Sequence, residues 1–275
     1  MARAIVRAIA AAALLAGCAL GFRGEAPFVG EHDLVGTDEL RIELPDAQLT
    51  VVACAADVPQ TCPPQLHYEG SWVSIAGTRQ DARRSASTPS LVFERDEGFA
   101  VLRAEVPLAV DGLVDLELGP LTLPDDRDLD LRTGVGDISV QGTEASVVVD
   151  VDVGDVEIRG ADGGLAVRTG LGDVDVVTSG HAELHTGAGA VTVEQSGAPR
   201  DLRVRTDGGG HITVTLASDA DIDLEIHTEG RISVRTPSIT ALTSGVLQRR
   251  NGNGSIRVEL RSPRGDVDVR SVDPG

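Results

Sequence analysis

The sequence predicts an all-β protein: a β-solenoid of stacked two-strand coils, each about 18–20 residues long, behind an irregular N-terminal β cap. Three observations predict it. Gly136, Gly154 and Gly172 fall 18 residues apart, each in a Gly-Asp turn flanked by short runs in which apolar and polar residues alternate. Alternation is the period of a half-buried strand, and two such strands per unit leave no room for a helix. All six aromatic residues, Phe22, Phe28, Tyr68, Trp72, Phe93 and Phe99, precede residue 100. The remainder is aliphatic, as a thin coil interior requires, because a large ring would force neighbouring sheets apart. The third observation is the 32 Gly, the residue that corners with positive φ accept without a Cβ penalty. A sandwich or small barrel also shows strands at regular spacing, and the in-register 18-residue repeat favours the solenoid over both.

The first element, residues 1–17, has Arg3 and Arg7 ahead of an apolar run from Ala8 to Ala16, the layout of a secretory signal. Leu15-Ala16-Gly17-Cys18 resembles the lipobox of bacterial lipoproteins. That resemblance implies a lipid on Cys18 and anchoring by acyl chains, which bind a membrane at about 0.8 kcal/mol per buried CH₂. Ala19, where many inner-membrane lipoproteins carry Asp, implies the outer membrane rather than the inner. Residues 18–30, with Gly21, Gly24, Pro27 and Gly30, read as a tether.

Residues 31–123 read as an N-terminal β region that caps or continues into the solenoid. Alternating or apolar runs at Leu40–Leu44, Leu49–Ala53, Trp72–Ala76, Leu91–Glu94, Phe99–Val106 and Val114–Leu118 are separated by turn residues. Thr78 to Ser90 has no periodicity and reads as an exposed loop. In an exported chain, Cys54 and Cys62 predict a disulfide, because two thiols at that spacing lack the further ligands that zinc needs.

Residues 124–272 carry the repeats. After the three units in strict register, the series continues with drift at Gly189, Gly210, Gly230, Gly254 and Gly265. Asp137, Asp155 and Asp173 share one repeat position and stack into a candidate calcium column. The nonapeptide calcium pattern is absent, however, so solvated turn carboxylates are the preferred reading and no metal or other cofactor is expected. Arg132, Asp150, Arg168 and His185 share another position and predict cross-strand pairing on an exposed face. His181 and His185 lie about 13 Å apart on a strand, too far to share a metal.

Charge bounds the function. The chain has 43 acidic and 24 basic residues, a net charge of −19, and every cation is Arg. Such a surface opposes nucleic acid and anionic membranes and favours a monomer. With no Lys, phosphate-loop and Schiff-base chemistry are excluded. Nucleophile elbows and nucleotide fingerprints are missing, and so many acids make chance carboxylate pairs uninformative, so no catalytic residue is expected.

The run from Leu123 to Gly142, Leu-Pro-Asp-Asp-Arg-Asp-Leu-Asp-Leu-Arg-Thr-Gly-Val-Gly-Asp-Ile-Ser-Val-Gln-Gly, followed by repeated Thr-Gly-x-Gly-Asp-Val units, resembles the bacterial putative-adhesin family over residues 35–272. That resemblance implies β-solenoid coils and an adhesive role, with no catalytic residues to carry over. The expectation is therefore a lipid-anchored, non-enzymatic cell-envelope protein, adhesin-like or structural, that meets envelope protein or extracellular matrix. A divalent-cation-binding or carbohydrate-active solenoid is the alternative.

Overall fold

A computed structural model describes residues 21–54, 62–107, 113–197, 200–217 and 221–271, so the signal segment and Cys18 lie outside the described residues. The first part of the chain forms β1 (Phe22–Asp33), β2 (Thr37–Asp46), β3 (Leu49–Cys54), β4 (Gln65–Ala76), α1 (Arg79–Ala86), β5 (Ser90–Asp96), β6 (Gly98–Glu105), β7 (Leu113–Leu118) and β8 (Leu121–Pro124). The repeats follow as strand pairs: β9 (Asp128–Val135) with β10 (Ile138–Thr143), β11 (Val147–Val153) with β12 (Val156–Ala161), and β13 (Leu165–Leu171) with β14 (Val174–Thr178). Two further pairs are β15 (Ala182–Ala188) with β16 (Val191–Gln195) and β17 (Leu202–Thr206) with β18 (Ile212–Leu216). The chain ends in β19 (Ile222–Arg235), β20 (Thr240–Arg250), β21 (Ile256–Arg261) and β22 (Val267–Ser271).

Each repeat strand lies parallel to the strand two elements later, which is the solenoid pattern. One ladder runs β9–β11–β13–β15–β17 and the other β10–β12–β14–β16–β18. The 18-residue period becomes the register itself: Leu129 faces Val147, which faces Leu165. Alternation then sends Leu129, Leu131, Ile138, Val140, Val147, Val149, Val156 and Ile158 inward, where all are buried. A fully buried Val or Leu contributes about 1.5–3 kcal/mol, whereas an exposed ion pair contributes about 0–1. Aliphatic layers, not charged rows, therefore hold the stack together.

Stack order and chain order part company at both ends. The coil β2–β3 pairs with β9 and β10 on one side and with β6 and β8 on the other. The solenoid thus begins at Thr37, well before residue 124, and β4 to β8 form an excursion that runs outward over this coil and returns. At the far end β17 and β18 pair with β21 and β22, and β19 stacks beyond them. β19 bends at Glu229–Gly230 so that one strand serves both ladders, and β20 pairs antiparallel along it.

Three expectations are corrected. Residues 22–30 are not a tether: they belong to β1, paired with β4 over its whole length from Phe22↔Ala76 to Asp33↔Gln65. The stretch read as a loop contains α1, started by the Thr78 hydroxyl, which accepts from the Asp81 N–H at 3.1 Å. Gly24 lets that helix approach, because a Cβ there would sit 2.3 Å from the Ala82 carbonyl oxygen. Gly254 is not a solenoid corner, since it lies in the connection between β20 and β21.

The aromatic residues gather at the N-terminal end. Phe28 packs against Tyr68 and Trp72 with ring centroids 6.2 and 6.3 Å apart, and His32 stacks on Phe93 at 4.1 Å. His32 also shares a 2.9 Å hydrogen bond with the Tyr68 hydroxyl. Burial pushes the His32 imidazolium pKa down and the Tyr68 hydroxyl up. The Cys54–Cys62 disulfide is formed, with Cα atoms 5.6 Å apart, and ties the end of β3 to the residues entering β4. Closing so short a loop stabilises the fold by about 2–3 kcal/mol.

Candidate functional surface

The Thr-Gly-x-Gly-Asp turn is a corner in which each residue has a separate task. Thr169 and Thr186 are buried, and their hydroxyls donate to the carbonyls of Gly154 and Gly172 at 3.3 and 3.2 Å. The second Gly lets successive corners touch: a Cβ on Gly154 would lie 2.0 Å from the Gly136 oxygen. That column of close approaches runs Gly136, Gly154, Gly172, Gly189, Gly210, Gly265, Gly230, so it follows stack order rather than chain order.

Asp137, Asp155 and Asp173 do form a column, and its chemistry is turned inward on the backbone. Asp137 Oδ1 accepts the Asp155 N–H at 2.9 Å, Asp155 Oδ1 accepts the Asp173 N–H at 2.9 Å, and Asp173 Oδ1 accepts the Ala190 N–H at 2.8 Å. Asp266 holds the Arg231 N–H in the same way at 2.8 Å. These carboxylates satisfy corner amides and thereby fix the vertical register of the coils. Among the described residues, no group of three or more His, Cys, Asp or Glu is placed to hold a metal ion.

The charged row predicted at Arg132, Asp150, Arg168 and His185 is present in strict register. It extends to Glu43 on one side and to Arg205, Arg261 and His227 on the other. Arg132 pairs not with Asp150 but with Asp130 at 2.9 Å, which also takes Arg41 at 2.7 Å. Burial pushes the Asp130 carboxyl up, but the hydrogen bonds and charges of Arg132 and Arg41 outweigh it and hold the group below its usual range.

Further along, Asp207 takes His185 at 2.9 Å and Arg205 at 2.8 Å, and these hydrogen bonds lower its pKa. His227 donates to Glu225 at 2.6 Å and lowers the Glu225 pKa likewise. Glu259, buried at 8% side-chain exposure, collects Arg261 at 2.7 Å, Arg257 at 3.3 Å and Arg203 at 3.5 Å. Here His185, Arg203, Arg205 and Arg261 line a cleft of 310 Å³. The face is a set of interlocked charge rows suited to many-point contact. His181 is exposed just before β15 and does not join His185 in a site.

Reading the sequence missed the continuation of this row through Arg261 and His227, because those residues are neighbours in the stack but not in the repeat. It also missed the tip formed by β20, for which a signal existed. Residues 230–258 contain five Arg and no Asp or Glu, in a chain of net charge −19.

No family model matches the chain, and no curated protein matches it either. Two solved structures are similar. One is a putative cell adhesion protein from Clostridium sporogenes, with 13% identity and a TM-score of 0.31, covering 90% of this chain and 100% of that one. The other is a putative adhesin from Bacteroides fragilis, with 11% identity and a TM-score of 0.39, covering 90% of this chain and 97% of that one.

Proposed function

We propose that the protein is a lipid-anchored, non-enzymatic module of the cell envelope, adhesin-like in use. In this reading it is held at its N-terminal end and offers the charge rows and far tip of a rigid solenoid to protein or extracellular matrix. The observation that carries the reading is the polarity of the stack. β1 closes one end and β20 the other, and eleven successive strand spacings separate them, a distance of about 50 Å. An acyl chain on Cys18, three residues before the described body, would hold β1 beside the outer membrane and β20 away from it. The net charge of −19 supports contact with protein surfaces and not with nucleic acid.

Fractionation tests the anchor: Cys18→Ser is expected to move the protein out of the membrane fraction, and retention there would overturn the anchored reading. The contact role is tested by presenting the chain on beads to matrix protein and to envelope extract. Capture that survives removal of divalent cations supports it, and cation-dependent capture lost in Asp155→Ala would point instead to the aspartate column.

A further inference from the structure

We propose that two copies of this chain join tip to tip, through antiparallel pairing of the free edges of their β20 strands about a twofold axis near Gly245. β20 is hydrogen-bonded to β19 from Thr240 to Arg250, and among the described residues it pairs with no other strand. Such an edge is a template for another strand, and natural sheets guard it with Pro, inward-pointing charge or a covering element. β1, at the other end, has that protection. Pro27 interrupts its donors, Glu25, Glu31 and Asp33 line it, and α1 packs against it. β20 contains no Pro, and its only charges are Arg249 and Arg250 at one end.

The side chains suit a twofold mate. Leu242 and Val246 point outward four residues apart, one on each arm of β20 about Gly245, and are 75% and 60% exposed, while Leu247 points inward and is buried. In a pair centred on Gly245, Leu242 lies across from Gln248 of the mate and Val246 across from Ser244. Each Leu242 then becomes a diagonal neighbour of the mate's Val246, within reach of it. Arg249 and Arg250 fall opposite Ala241 and Thr240 of the mate, at the far ends of the two arms of β20. Arg250 is already paired with Asp223 at 2.8 Å, which offsets its charge at the tip.

Elsewhere the −19 charge keeps two bodies apart; residues 230–258, free of acids, are where copies can meet. The pairing does not depend on the anchor. Taken with the anchored-rod reading, on which this one extension rests, it joins two opposed membranes.

Sedimentation of the full chain in non-ionic detergent, over a concentration series, tests the inference. The expected result is a reversible species with twice the protein mass of the monomer. Leu242→Asp and Val246→Asp, both at exposed positions, are expected to weaken it by about tenfold or more, the equivalent of 1.4 kcal/mol, while leaving the melting transition in place. Val29→Asp, at a 70% exposed position on β1, should leave it unchanged. A monomer at every concentration, open-ended larger species, or equal weakening by Val29→Asp would each overturn the proposal. Membrane fractionation of Cys18→Ser reports on the anchor alone, so the two readings fail separately.

Discussion

The two ends of this solenoid solve the same problem with unequal means. Each end is closed by a segment that leaves the stack, covers the last coil and returns. The N-terminal excursion brings α1, the antiparallel strands β4, β5 and β7, and a cluster of rings that includes Tyr68 and Trp72, both buried. The C-terminal excursion brings one bent strand and one edge strand, with Leu247 as its main buried anchor. Coils contact only their neighbours, so stability is local and adds up along the stack. The end with more buried area is therefore the firm end, and the thin end the one that opens first.

The sharpest way to break that contrast is Trp72→Ala. Loss of this 5% exposed ring should cost about 3–5 kcal/mol, with hydrogen exchange rising in β1 and β4 and little change in β19. Equal rises at both ends would show that the ends are not independent. Leu247→Ala should cost about 2–3 kcal/mol and open the β19–β20 hairpin first, read from the same exchange map. Asp155→Ala probes the middle. It removes one carboxylate from the corner amides and should cost about 1 kcal/mol in denaturant unfolding, without loss of the solenoid's circular dichroism.

Acid gives the smallest and most selective effect. His32 has a folded pKa below 6.5, so its neutral form is the stabilising one: the contribution is complete above pH 6.5 and declines as pH falls through that value toward the folded pKa. Glu225 has a folded pKa below 4.5, so its contribution is present above that value and is lost only as pH falls through the lower folded one. Exchange should therefore loosen the N-terminal cap first on acidification, and His32→Gln should remove that early phase.

The repeat legible in the sequence was a repeat of corners. Thr169, Gly172 and Asp173 each have a separate task at the corner, and the recurring Gly marks the regular coils even where Val151 replaces the Thr or Ala190 the Asp. Stack order was not legible at the ends. Any Val-x-Val strand fits beside any other, and nothing in β21 says that it belongs between β17 and β19. α1 was missed because eight residues rich in Arg and Ser show little apolar period; Thr78 three residues before Asp81 was its one clear signal. β1 was hidden by Gly24, Pro27 and Gly30, which read as tether but admit a helix, guard an edge and make room for the Tyr68 ring, 2.1 Å from where a Gly30 Cβ would stand.

The late return of β21 and β22 has a consequence for how the chain is made. These strands come last in the sequence yet lie inside the stack, between coils that have already left the ribosome. They act as a keystone: until residue 271 is available, β19 has no coil to rest on and the tip cannot form. A chain cut short before Ile256 would keep its motif-bearing coils and lose its far end, because β19 and β20 would have no coil beneath them.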